Sequence, residues 1–259
     1  MTVHPGRVVT PEIDDDPWTA IAEEWSQRWG GFAAPAQRAV LAAASVGRGT
    51  RVLDVGCGGG EFLELAAEAG AEVHGIDPAR GMVDRARRRV PGADVRVGAA
   101  ERLPLPDGSL DVVTVFNALQ FTEDPAAAVA GAARVLVPGG RAGLATWAEG
   151  SRNDLDRVES AVSEFHGEEP REDRALSLEG ELAGLLAGEG FTVVAAGIVE
   201  VPWVAEDDDA LVRGVLLGED AEGLASVGPV VVSAARPFRR ADGGYVLLNA
   251  FRWVVGERA

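Results

Sequence analysis

Residues 51–63, RVLDVGCGGGEFL, decide the fold of this chain. The run Arg51–Val55 is largely apolar, with one carboxylate at Asp54, and predicts a buried parallel strand. The glycines at positions 56, 58, 59 and 60 let the backbone adopt positive φ and approach a ligand closely. Glu61 stands where an acid complements the dipole of a following helix. The stretch therefore predicts a strand, a glycine turn and a helix that together bind a cofactor.

The charge of this turn indicates which cofactor. Dinucleotide sites present helix N–H groups to a pyrophosphate and carry a third glycine at the position where this chain has Glu61. An acid there would repel a phosphate. Asp54, beneath the turn, instead suits a ligand with a cationic ammonium and a sulfonium group. The residues thus favour S-adenosylmethionine as the ligand.

Four segments resemble the motifs of one family. Asp54, Gly56 and Gly58 form the pattern D-x-G-x-G, which resembles motif I of the class I S-adenosylmethionine-dependent methyltransferases. Three later segments are similar to further motifs of that family, in family order: GID at 75–77, GAAERLPLPDGSLDVV at 98–113 and RVLVPGGR at 134–141. The resemblance covers roughly residues 20–150 and points to the methyltransferase type 11-like branch. It implies methyl transfer to a small molecule, as in specialised metabolism.

The resemblance also implies the architecture. It predicts an α/β fold with a doubly wound, mostly parallel seven-stranded sheet of the Rossmann-like methyltransferase type. N-terminal helices should precede this sheet, and a helical cover should be inserted after the fifth strand. Strands expected at 191–204 and 245–255 would complete the sheet with one antiparallel member.

The domain organisation follows from the same comparison. Residues 1–16 lack apolar periodicity and are expected to be a disordered leader. Residues 17–259 should form a single methyltransferase domain, divided into a cofactor-binding core at 17–150, a substrate cover with additional sheet elements at 151–244 and a closing strand at 245–259. Within the cover, residues 223–233 are expected to be flexible. Small and apolar residues there predict a substrate chamber lined without charge.

Cofactor contacts implied by the resemblance lie along the carboxyl edge of the sheet. Asp77 ends the second strand, where the family holds the ribose hydroxyls with a carboxylate; a cap for the next helix is the other interpretation. Ala99 stands where the family usually shows an acid, so the backbone of Ala100 and the side chain of Glu101 are expected to hold the adenine. The expected cofactor-binding residues are Trp29, Asp54, Gly56, Cys57, Gly58, Asp77, Pro78, Met82, Ala100, Glu101, Asn117 and Gln120.

An amphipathic helix is predicted after Pro17. Its apolar face carries Trp18, Trp25 and Trp29 at helical spacing. In proteins of this resemblance such a helix folds over the cofactor. Simple packing of these aromatics on the domain is the alternative.

The expected reaction is an in-line displacement at the methyl carbon, in a desolvated pocket, with S-adenosylhomocysteine leaving. Asn117 and Gln120 are neutral side chains at the strand end where a catalytic acid or base would be expected. The reaction is therefore expected to need no dedicated base. His166, in the cover, is a candidate general base, and an exposed loop histidine is the competing interpretation. His4, His74 and His166 share no ligand-like spacing, so no metal site is expected.

Composition narrows the partners. The net charge of −17 works against binding nucleic acid or an anionic membrane and favours a small-molecule substrate. Lysine is absent, which excludes a Schiff-base lysine, and the single cysteine, Cys57, excludes an intrachain disulfide. The chain shows neither a spanning apolar run nor a signal pattern, so a cytoplasmic location is expected. A homodimer and the identity of the methyl acceptor are left open.

Two other functions compete with methyl transfer. The chain could bind S-adenosylmethionine and catalyse a cyclisation or rearrangement without methylation, or bind it without catalysis. A nicotinamide-dependent oxidoreductase on a Rossmann domain is the third interpretation, and Asp54 and Glu61 disfavour it.

Overall fold

A computed structural model describes residues 17–169 and 172–259, so the leader expected at 1–16 lies outside the described residues. The strands, in chain order, are β1 (Arg51–Val55), β2 (Glu72–Asp77), β3 (Asp94–Val97), β4 (Leu110–Phe116), β5 (Leu136–Trp147), β6 (Phe191–Glu200), β7 (Trp203–Ala205), β8 (Tyr245–Leu247) and β9 (Ala250–Arg258). Seven of them form one sheet in the order β3-β2-β1-β4-β5-β9-β6, and β7 pairs with β8 in a second sheet.

Helices cover both faces of the large sheet. In chain order they are α1 (Pro17–Arg28), α2 (Ala34–Ala43), α3 (Glu61–Glu68), α4 (Arg80–Arg89), α5 (Pro125–Val135), α6 (Asp154–Phe165), α7 (Glu181–Gly188), α8 (Asp208–Val215) and α9 (Ala221–Ala235). Within the described ranges, every helix is too short or too polar to cross a bilayer.

The sheet confirms the predicted fold class. Strands β1 to β5 are parallel to one another, and in this sheet only β9, between β5 and β6, runs antiparallel to both of its neighbours. Val52 at the centre of the sheet pairs with Val73 of β2 and Val112 of β4, and all three are buried. Helices on both faces explain these continuous apolar runs, because a central parallel strand has no solvent face.

Two expected strands are each divided in the structure. Pro202 follows β6, and since proline has no N–H to donate, the ladder stops there and β7 starts a separate pairing with β8. Asn249 interrupts the closing strand between β8 and β9. Its carbonyl accepts the N–H of Val201 and its Oδ1 accepts the N–H of Leu155, so the interruption is a hydrogen-bonded junction.

The expectation of a flexible segment at 223–233 is wrong. These residues lie in α9, which begins with the side chain of Asp220 accepting the N–H of Gly223. Val227 and Val231 are buried on one face of the helix although Pro229 lies inside it. Packing of this apolar face outweighs the low helix propensity of its glycines and proline.

Candidate active site

The glycine turn joins β1 to α3 at the carboxyl edge of the sheet. Gly56, Gly58 and Gly60 adopt positive φ of 71°, 51° and 86°, which a side chain would strain. A Cβ added to Gly56 would overlap the Cβ of Ala118, so this position also needs glycine for space. A Cβ on Gly58 would meet only Glu61 Oε2, at 3.9 Å. The turn is therefore packed on the β4 side and open above Gly58.

Asp77 fastens this turn to the start of α4. Its Oδ2 accepts the N–H of Gly58 and its Oδ1 accepts the N–H of Ala79, both at 2.9 Å. The side chain is only 8% exposed, beside an exposed Pro78. A carboxylate oxygen can accept more than one hydrogen bond, so these anchors orient Asp77 without using up its capacity. The capping interpretation and the binding interpretation of Asp77 are thus compatible.

Asp54 lies beneath the turn and is almost fully enclosed. It is 2% exposed, and its Oδ1 accepts the hydroxyl of Thr114 at 2.7 Å. Burial raises the pKa of Asp54 to about 8; the Thr114 hydrogen bond lowers it, and the charges of Asp77 and Glu61 raise it further. Without a cation nearby, Asp54 is therefore mostly protonated at neutral pH.

Glu61 does not act as an unpaired acid in the turn. Its Oε1 accepts the hydroxyl of Ser26 at 2.8 Å and Arg89 Nη2 at 2.9 Å. Arg89 also donates to the carbonyl of Gly59 and to Glu64. This pairing removes much of the repulsion that the sequence argument assigned to Glu61. Sequence reasoning missed Ser26 and Arg89, because Arg89 stands in a run of arginines whose members look alike.

The expected adenine contacts lie after β3 and on α4. Ala100 and Glu101 follow β3, and Glu101 Oε1 accepts the N–H of Glu123 at 3.1 Å, so this acid ties the β3 turn to the segment before α5. Met82 is buried against Ala22 beneath α1. The contact of these residues with adenine stays a prediction.

Trp29 is not on this crevice. Its ring stacks on Trp203 at 4.6 Å and on Trp25 at 5.9 Å, and its Nε1–H donates to the carbonyl of Gly214. With 2% of its surface exposed, Trp29 belongs to the apolar cluster that it forms with residues of the cover. The residue matches the periodicity that predicted it, but it follows the last residue of α1, and its ring packs on Trp203 of β7.

Trp18 is the α1 tryptophan nearest to the crevice. Its ring meets the edge of Trp25 at 5.2 Å and of Phe121 at 5.5 Å. It also packs beside Ala79 and Met82 at the start of α4. The first turn of α1 therefore bridges from α4 to the segment after β4, across the carboxyl edge of β1.

A chain of side-chain hydrogen bonds closes the edge at β4 and β5. Asn117 has a left-handed φ of 52°, and its N–H donates to the carbonyl of Ala145. Gln120 Nε2 donates to Asn117 Oδ1, and Gln120 Oε1 accepts the hydroxyl of Thr146, each at 2.7 Å. The two neutral amides that the sequence placed here are brought together. Thr146 has no sequence signal and was missed.

A cavity of about 310 Å³ opens next to this chain of hydrogen bonds. Gln120 and Thr146 line it together with residues of α6 and of the loop that follows residue 171. The expectation of a chamber without charge is wrong, since its wall includes the charged residues Asp156, Glu159, Glu172, Asp173 and Arg174. Because α6 begins shortly after β5, its polar first turns lie over the strand end.

Glu149 fixes the border of this cavity. Burial alone would raise its pKa, but hydrogen bonds from Arg152 and Arg252 prevail and lower the pKa to about 2. Arg252 Nη2 donates to Glu149 Oε2 at 2.6 Å, and its Nε donates to the carbonyl of Ser177. These charged hydrogen bonds join the end of β5 to β9 and to the turn at Ala175–Ser177.

His166 lies away from the cavity. It follows the last residue of α6 and is exposed, with its ring against Phe165. Asp156, which lines the cavity, is near the other end of the same helix, and ten residues of helix span ~15 Å. The structure therefore does not bring the candidate base to the site.

A mostly parallel sheet with one antiparallel strand, and a glycine turn tied to an acid at the end of β2, define the class I methyltransferase fold. Residues 53–144 match the family model described as a methyltransferase domain. This match and the methyltransferases among the relatives confirm, for this segment, the resemblance to the class I S-adenosylmethionine-dependent methyltransferases seen in the sequence.

Known proteins are similar to parts of this chain. The malonyl-[acyl-carrier protein] O-methyltransferase of Serratia marcescens is 37% identical over 142 residues, which are 52% of this chain and 56% of that protein. This chain spans roughly a third to a half of the length of the first curated relatives that it matches.

Solved structures match more of the chain at lower identity. The YcgJ protein of Bacillus subtilis has a TM-score of 0.59 and 20% identity, covering 87% of this chain and 98% of that one. The [4+2]-cyclase SpnF has a TM-score of 0.58 and 19% identity, covering 89% and 82%. At this identity the matches support the fold alone.

Proposed function

We propose that this protein transfers a methyl group from S-adenosylmethionine to a small-molecule acceptor bound in the cavity beside β5. One observation carries the proposal: Gln120 lies in the cavity wall and bonds to Asn117, whose neighbour Ala118 packs on the glycine turn. A donor over the turn and an acceptor in the cavity would meet at this residue. That arrangement is what a transfer between two ligands requires.

The residues of the crevice fit the donor. Space above Gly58 leaves room for the ligand backbone, and the Asp77 carboxylate is oriented to accept ribose hydroxyls. Asp54 would gain a favourable charge beside a cationic ligand, which lowers the cost of ionising it. The bound donor would supply a methyl group already activated by its sulfonium.

The chain's own contribution is positioning and exclusion of water. Asn117 and Gln120 fix the end of β4, and α1 covers the edge through Trp18. We assign no general base, and alignment of the two ligands can supply about 7 kcal/mol or more. Residues 151–244 act as the acceptor cover in this proposal. The malonyl-[acyl-carrier protein] O-methyltransferase among the relatives supports a small acyl group as acceptor.

Calorimetry with S-adenosylmethionine, followed by mass spectrometry with a panel of phenols, amines and keto acids, tests the proposal. We expect saturable binding, an acceptor that gains one methyl group and release of S-adenosylhomocysteine. A product isomeric with its substrate would support the cyclisation alternative, for which the [4+2]-cyclase SpnF, similar in fold, is a precedent. Absence of binding at saturating donor would contradict both.

A matched pair of variants tests the acceptor site. Leu176 lines the cavity, whereas Leu178, two residues on, is exposed. Leu176→Trp should abolish methyl transfer and leave donor affinity within about twofold, since it fills the cavity and leaves the glycine turn unchanged. Leu178→Trp should leave both unchanged. Equal activity of the two variants would show that the acceptor does not bind in this cavity.

A further inference from the structure

Thr146 is a buried hydroxyl at the junction of the two halves of the site. It is the second-last residue of β5 and is 5% exposed. Its hydroxyl donates to Gln120 Oε1 at 2.7 Å, and both residues line the cavity. A buried hydroxyl is ordinarily satisfied by the main chain or by another side chain. Here its partner is a residue that the proposed function places between donor and acceptor.

This hydrogen bond connects the Gln120 amide to the end of β5. With Oε1 occupied by the Thr146 hydroxyl, Nε2 faces Asn117 and donates to its Oδ1. A reversed amide would set two acceptor oxygens against each other. Asn117 in turn holds a left-handed backbone that residues other than glycine rarely adopt. The Thr146 hydroxyl is thus linked through Gln120 to the side chain of the residue that holds this backbone conformation.

The conformation of Asn117 bears directly on the glycine turn. Ala118, the next residue, occupies the space that a side chain on Gly56 would need. A change in the backbone at Asn117 would therefore move Ala118 against the turn, or away from it. Close packing transmits such shifts because the interior has little free volume.

We propose that Thr146 is a positioning residue that acts through Gln120 and Asn117 to hold the end of β4 for the amino-acid half of S-adenosylmethionine. The inference rests on the proposed function, since it assumes that this ligand lies over the turn. Thr146 itself need not touch the ligand. Its effect should be confined to the methionine side, because Asp77 and the nucleoside side are held by separate main-chain hydrogen bonds.

Two ligands separate positioning from general stability. S-adenosylmethionine carries the amino-acid half on a cationic sulfonium, and 5′-methylthioadenosine has the same nucleoside and S-methyl group, as a neutral thioether, without that half. Thr146→Val keeps the shape and removes the donor, so it should weaken S-adenosylmethionine binding about three- to tenfold in calorimetry and leave 5′-methylthioadenosine unchanged. Thr146→Ser restores a hydroxyl and should bind both ligands within about twofold of the wild type. Thr192→Val, on the exposed edge strand β6, is the matched control.

A double-mutant cycle tests the route through Gln120. Gln120→Leu should weaken S-adenosylmethionine binding, and adding Thr146→Val to it should have no further effect. If Thr146→Val weakens both ligands equally, or Thr146→Ser is as weak as valine, the role is structural and the inference fails. Should Thr146→Val not fold, Gln120→Leu alone must show the same selectivity between ligands. A wild type that binds neither ligand overturns the proposed function itself, whereas unaltered binding in Thr146→Val overturns only this inference.

Discussion

The carboxyl edge of the sheet is built in two different ways. At β1 and β2 the contacts are made by the main chain, since N–H groups of Gly58 and Ala79 hold the Asp77 carboxylate. At β4 and β5 they are made between side chains, through the chain from Thr146 to Asn117. The first half depends on one backbone geometry, and the second can change with every side chain that contributes to it.

This difference explains where a sequence is informative. Main-chain contacts need particular backbone angles, and these select glycine at fixed spacings within a few residues. Side-chain contacts join residues far apart in the chain, such as Gln120 and Thr146, and many residue types could serve. The cofactor half is therefore visible as a motif, while the acceptor half becomes visible only after folding.

The largest effect is expected at Asp77. Asp77→Ala removes the acceptor for the ribose and the anchor of two N–H groups, so donor affinity should fall at least about 100-fold by calorimetry. Asp77→Asn keeps one acceptor oxygen and should lose less. Asp84→Ala, on the exposed face of α4, is the control and should bind normally. Wild-type affinity in Asp77→Ala, with the fold retained, would remove the ribose assignment.

A substitution at Gly56 tests whether the glycine turn and the segment after β4 depend on each other through packing. Gly56→Ala adds both backbone strain and a collision with Ala118, so we expect it to lower the free energy of unfolding by about 3 kcal/mol. Gly49→Ala is matched in φ, at 79°, but has open space, and should cost about 1 kcal/mol. Urea denaturation measures both. Adding Ala118→Gly to Gly56→Ala should restore the part of the free energy of unfolding by which the two glycine variants differ. No recovery would mean that the collision with Ala118 does not connect the two halves of the edge.

Asp54 links the turn to pH. Its pKa of about 8 means that the native protein holds a proton that the unfolded chain releases near pH 4, so stability should fall as pH rises between these values. Asp54→Asn should lose this dependence and be more stable at pH 9 by about 2 kcal/mol. The same change of stability with pH in the wild type and in Asp54→Asn would exclude Asp54 as the source of the pH dependence.

The raised pKa of Asp54 also predicts that a proton is released when S-adenosylmethionine binds. A cation beside Asp54 favours its carboxylate, so affinity for S-adenosylmethionine should rise from pH 6 and level off above about pH 8. Calorimetry in buffers of different ionisation enthalpy detects the proton. In Asp54→Asn the binding enthalpy should no longer depend on the buffer.

The smallest effect is expected where α1 meets the turn. Ser26→Ala removes the hydroxyl that donates to Glu61, but Arg89 still pairs with this acid, so stability should fall by about 1 kcal/mol. Ser226→Ala, on the exposed face of α9, is the control. A drop of several kcal/mol would mean that α1 depends on this single contact more than on its aromatic packing.

Much of the fold could be predicted because its signals are local and ordered. The glycine turn and three further motifs predict the parallel core, and the order of strands confirms it. The division of β6 from β7 could have been anticipated at Pro202, since proline interrupts a ladder. Helix α9 could not, because its glycines and proline argue against a helix and only the burial of Val227 and Val231 favours it.

The candidate site was predictable to a smaller extent. Asp77 and Gly58 are joined as expected for one crevice, whereas Trp29 lies in the cover and His166 at the far end of α6. Periodicity gives the face of a helix but not the neighbour of each residue on it. The charge of the cavity depends on how α6 and the loop after it return to β5, which no local pattern encodes.

The aromatic rings of α1 give the molecule an internal optical probe. From Phe121 at the crevice, Trp18, Trp25, Trp29 and Trp203 follow one another with centroids no more than 5.9 Å apart. Indoles this close exchange excitation energy, so light absorbed in the cover can be emitted from Trp18. Any molecule that enters beside Trp18 should therefore alter the emission of the whole series, and fluorescence anisotropy could follow its arrival without a label.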